Sequence, residues 1–104
     1  MKRGCKNGMY SVNDLVYFTV IVDEKPYTVK YKIIEKIECN EGFSYVIDVV
    51  QDQDDPAILE LVQQRRIGTN IRICGDSLFK TKEDALKKAR DYFHFIAELL
   101  DKAI

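Results

Sequence analysis

Apolar residues recur at alternating spacings of three and four from Leu86 through Ala89, Phe93, Ile96 and Leu100 to Ala103, the period of an amphipathic helix. Thr81 stands where an N-cap is needed, and Asp84 three residues on gives a shortened capping box. Glu83 and Asp84 also place negative charge where the helix dipole favours it. The expected helix covers residues 81–104. Losing the Thr81 hydroxyl should cost about 1 kcal/mol. Phe93, Ile96 and Leu100 should each contribute about 1.5–3 kcal/mol when buried. Such a helix exists to pack, and only the preceding strands are available to it. A second apolar line, Ala85, Tyr92 and Leu99, runs beside the first every seven residues, with Phe95 further round. The combined arc is wider than the roughly 100° that a one-sided contact needs. Either the helix sinks deeply into a curved sheet, or this second line docks a partner or a second copy.

Upstream the period changes to two. Residues 1–11 carry Gly4, Gly8 and scattered charge, and read as a loose leader. Residues 15–22, LVYFTVIV, are β-branched or aromatic on both faces, as in a strand covered on both sides. Residues 23–26 form a polar connection that includes Pro26. From 27 to 39, Tyr27, Val29, Tyr31 and Ile33 alternate with Thr28, Lys30 and Lys32, until the pattern slips at Ile34 and Glu35. A bulge there would bend the strand. A hairpin at Asn40-Glu41-Gly42 leads to a third strand, in which Phe43, Tyr45, Ile47 and Val49 share a face. For residues 56–66, Asp55 as N-cap, Pro56 at the first helical position and the later Gly68 favour a short helix. The run Ile58, Leu59, Leu61, Val62 would also suit a strand. Residues 69–74 read as a strand, Gly75-Asp76 as a turn, and 77–80 as a short last strand feeding the helix.

These elements make an α+β domain: a leader at 1–11, a β-rich unit at 12–80 and the long C-terminal helix at 81–104. A small, strongly bent antiparallel β-barrel with the helix packed on it is the expected closure. One core should hold Tyr17, Val29, Tyr31, Ile47, Phe79, Phe93 and Ile96. Two passages, VNDLVYF at 12–18 and SLFKTKEDALKKA at 77–89, resemble a loose group of small bacterial and phage proteins with Src-homology-3-like barrels. Their counterparts there are a GDxVYF opening and an LFxTKEEA strand-to-helix junction. Asn13 stands where that group has Gly, and Asn is the next residue most tolerant of a left-handed backbone. The resemblance implies the barrel and, by analogy, an accessory protein of a bacterium or mobile element. Such proteins can act by occluding a host defence complex, a CRISPR nuclease among them.

Composition narrows the chemistry. With 104 residues the chain has one core's worth of material, and 46% hydrophobic with 32% charged residues describes an ordinary folded domain. Formal net charge is −1, so bulk charge does not advertise nucleic acid. Cys5, Cys39 and Cys74 are odd in number and widely spaced, which suits reduced thiols and a cytoplasmic setting rather than a zinc or redox pair. The sequence shows no apolar run long enough for a signal peptide or a membrane span.

No set of nucleophile, base and stabiliser can be assembled, so the chain reads as a non-enzyme without metal or cofactor. His94 is the lone histidine, with Arg90 and Glu98 as helical neighbours. Asp52, Asp54 and Asp55 start like a calcium loop, but Pro56, Ala57 and Gln63 stand where ligands and the Gly are required. Glu35, Glu38 and Asp48 read as the polar face of a sheet. Two readings of function remain. The first is a protein-binding module using Tyr92, Phe95 and Leu99. The second is a nucleic-acid-binding barrel using Lys30, Lys32 and Lys36 on one face of the second strand, near Tyr10 and Tyr27, with Arg65 and Arg66.

Overall fold

The computed structural model describes residues 8–40 and 42–103, leaving aside the side chains of Phe93, Ile96, Leu99, Leu100 and Ala103. Four strands, β1 (Leu15–Val22), β2 (Lys25–Cys39), β3 (Gly42–Val49) and β4 (Ile71–Cys74), form one antiparallel sheet in the order β1-β2-β3-β4. Helix α1 (Pro56–Gln63) precedes β4, and a 3-10 turn at Gly75–Ser77 leads to helix α2 (Lys82–Ala103). The class is α+β, as the alternation of periods implies.

Asp23 and Glu24 take φ of 53° and 65°, so Val22 and Lys25 close a two-residue turn whose twist matches the strands. Pro26, expected in the connection, therefore lies inside β2 opposite Ile21. Its missing N–H does no harm there. The Lys30 N–H points away from β1, to Gln53 Oε1 at 3.0 Å, and with a period of two the nitrogen of Pro26 points the same way. Asn13 takes φ of 80°, the left-handed backbone that Asn tolerates. The slip at Ile34 is a register shift: Ile33 faces Ile47, and Glu35 then faces Val46. Asp55 caps α1 by accepting the Ala57 N–H at 2.9 Å, which settles 56–63 as helix. Thr81 caps α2 by accepting the Asp84 N–H at 3.1 Å.

The barrel does not close. The turn expected at Gly75-Asp76 is a 3-10 turn that takes in Ser77, and the strand expected at 77–80 is reduced to one bridge, Phe79 to Tyr17 on β1. The sheet stays open along the rest of that edge, among the described residues.

The core gathers Val16 and Val22 of β1, Val29, Tyr31 and Ile33 of β2, Tyr45 and Ile47 of β3, Ile58, Ile67 and Leu78. Tyr17 and Phe79 sit outside that cluster, half-buried; the neighbour Leu78 takes the core position because the bridge fixes which way Phe79 points. Tyr10, placed in the loose leader by its sequence context, is buried. Its hydroxyl donates to Leu78 O at 2.8 Å, and its ring meets Tyr45 edge-on at 5.5 Å. Scattered glycines hid this, because a single anchor has no period to read. Phe93 and Ile96, the remaining expected core residues, lie outside the described side chains.

Cys74 is disulfide-bonded and Cys39 is a free, exposed thiol, whereas three reduced thiols were expected; Cys5 lies outside the described residues. The cytoplasmic expectation rested on those thiols and loses that support. No helix among the described residues is long and apolar enough to cross a membrane.

Tyr31 makes the sheet sensitive to alkali. Its hydroxyl donates to Gly68 O at 3.1 Å, and burial pushes its pKa from 10.0 up to about 12. The unfolded chain then ionises first. The stabilisation is complete below about pH 10 and is lost as pH rises towards 12, amounting to about 3 kcal/mol at most. Urea melts at successive alkaline pH values should show that decline, and Tyr31→Phe should flatten it.

Candidate functional site

Helix α2 meets the sheet at β1 and β2, and among its described side chains the buried ones are small. The Thr19 hydroxyl, shared with Thr28 Oγ1 at 2.9 Å, reaches the carbonyl of Ala85 at 3.3 Å. So close an approach leaves room only for short side chains: Ala85 is 1% exposed and Ala89 half-buried. Ala85, of the second line, is buried against the sheet, whereas Tyr92 of the same line is exposed and Leu86, expected in the buried stripe, is 43% exposed.

Between α2 and β1 lies a groove of about 410 Å³ lined by Phe18, Thr19, Ile21 and Phe79, by Asp76 and Ser77, and by Ala85, Lys88, Ala89 and Tyr92. Its flanks carry apolar surface open to solvent, with Ile21 47% and Tyr92 59% exposed. One turn further along α2, Phe95 is 56% exposed. Tyr92 and Phe95 of the expected protein-binding set are therefore neighbours on an uncovered face, and the Leu99 side chain lies outside the description. The β1 wall of the groove was missed in the sequence. Nothing in LVYFTVIV tells that one edge of this strand stays unpaired; the only trace is Ile21, a large apolar residue beside the turn.

The basic set does not form one surface. Lys30 and Lys32 share a face, but the shift at Ile34 turns Lys36 to the opposite one, beside Tyr45. There its ammonium donates to Gly8 O at 2.6 Å and sits 4.8 Å from the centre of the Phe43 ring. Lys30 pairs with Asp52 at 3.5 Å, and Lys32 lies across from Asp48. Arg66 is bonded to Asp23, which holds its guanidinium pKa further up, and Arg65 leaves α1 with φ of 62°. Each of Lys30, Lys32 and Arg66 thus has an acid beside it. Tyr10, expected near the lysines, is in the core instead.

The acidic loop is used structurally: Asp52 and Asp54 pair with Lys30 and Lys82, and Asp55 caps α1. His94 faces Glu98 at 3.8 Å on the exposed side of α2. Among the described residues no cluster of three His, Cys, Asp or Glu could hold a metal. No family model, curated protein or solved structure matches the chain.

Proposed function

We propose that this protein is a non-enzymatic protein-binding module whose contact surface is the groove between β1 and α2 with the adjoining outer face of the helix. The observation that carries this reading is the set of large apolar side chains left exposed in and beside the groove: Ile21 and Tyr92 in its lining, and Phe95 one turn further along α2. Aromatic residues held on a rigid helix are the residue types on which interfaces concentrate their binding energy. Its assignment to a mobile element, acting on a host defence complex, is carried by the resemblance of the 12–18 and 77–89 motifs alone.

The test uses Tyr92→Asp combined with Phe95→Asp, both on exposed positions where the fold should tolerate charge. Circular dichroism should stay native, while a protein captured from the source lysate by the wild type should be absent from the variant's eluate. Capture that survives both substitutions in a folded variant would refute the surface. For the nucleic-acid reading, titration with single-stranded DNA or RNA at low salt should show no binding; a steep salt slope would restore it.

A further inference from the structure

In β1 the backbone groups alternate between two sides. Tyr17 turns its N–H and C=O outwards, donating to Phe79 O at 2.7 Å and accepting from the Phe79 N–H at 3.1 Å. Thr19 and Ile21, two and four residues on, present their N–H and C=O to the same edge. The bridge is antiparallel, so Ser77 and Gly75 would stand opposite Thr19 and Ile21, but they curl into the 3-10 turn and the chain joins β1 only at Phe79. Among the described residues, neither Thr19 nor Ile21 has a backbone partner on that side. The groove lies at this edge. Phe18, from one face of β1, and Thr19 and Ile21, from the other, all line it, so it straddles the strand rather than lying under one face. Lys88 stands on its helical wall and forms no ion pair among the described residues.

We infer that this slot takes up an extended segment of a partner protein as an added strand. The inference rests on the protein-binding reading above and names the partner's chemistry. The segment continues the line begun by Phe79, pairs its backbone with Thr19 and Ile21, seats an apolar side chain between Phe79 and Ala89, and sets an acidic residue against Lys88. Backbone pairing supplies attachment, and the apolar and acidic positions supply selectivity.

The probe is a short blocked peptide alternating Glu with Val and Ile, labelled for fluorescence anisotropy, beside a counterpart with Lys in place of Glu. The acidic peptide should bind about tenfold more tightly than the basic one, and Lys88→Glu should reverse that order. Amide exchange at Thr19 and Ile21 should slow on binding. Ile21→Pro removes the outward N–H without touching the β1–β2 ladder, since Ile21 bonds away from β2; Ile21→Ala trims the side chain and keeps the N–H. Pro should abolish binding where Ala weakens it. Equal affinities for those two variants, unchanged exchange at Thr19 and Ile21, or binding by neither peptide would overturn strand addition. Slowed exchange that follows self-association instead would give the slot to a second copy and equally overturn a partner segment. Capture that still depends on Tyr92 and Phe95 while the peptides fail would leave the wider reading standing and remove the added strand.

Discussion

Tyr45→Ala should lower the free energy of unfolding by about 3–5 kcal/mol, the cost of deleting a large buried side chain. Tyr45 is inaccessible to solvent in the middle of β3. Its ring packs edge-on against Tyr10, and its hydroxyl accepts the Tyr10 N–H at 3.3 Å. The substitution therefore leaves a cavity and also releases the anchor that ties the N-terminal segment to the sheet. A domain of this size has about 5–15 kcal/mol in all, so the variant should be close to unfolding at physiological temperature. Tyr45→Phe keeps the ring and loses the hydroxyl, and should cost about 1 kcal/mol. Urea unfolding of both variants is the measurement. A loss below about 1 kcal/mol for the alanine variant would show that this ring is not a core element.

Reduction of the Cys74 disulfide should cost about 2–4 kcal/mol, because the cross-link limits the freedom of the unfolded chain. Cys74 ends β4 and directly precedes the turn that leads the chain to its bridge with β1. Alkylation of the unreduced native protein, followed by peptide mapping, should label Cys39 and spare Cys74. After reduction both should label, and the urea midpoint should fall. Labelling of Cys74 without reductant would show that the bond does not form in solution.

The strands and caps were legible because each rests on a local cause. The alternation of Tyr27, Val29, Tyr31 and Ile33 survives in β2, and the slip at Ile34 is where the register shifts. Asp55 and Thr81 cap the helices that follow them. What could not be read depends on contacts between distant segments. Tyr10 is a core residue only because Tyr45 and Leu78 come to it. Leu86, expected in the buried stripe, is exposed for the same reason: its neighbour Ala85 is small enough to let the helix backbone reach Thr19. The candidate site inherits both kinds of legibility. Tyr92 and Phe95 stood out as surplus apolar positions on a periodic helix, whereas the unpaired edge of β1 depends on a 3-10 turn almost sixty residues away along the chain. Lys36 left the lysine face because one extra residue at Ile34 reverses every side chain after it.

β2 serves two hairpins at once, pairing with β1 on one flank and with β3 on the other. All of those pairings join segments near one another in the chain, the widest being Tyr31 with Val49. Contacts of that kind form early, since little loop entropy opposes them. The bridge from Tyr17 to Phe79 and the docking of Ala85 beside Thr19 span most of the sequence and must wait for the chain to return. The β1–α2 groove is therefore assembled late and should open first: in the resting protein its amides should exchange through local opening while β2 holds its protons until global unfolding.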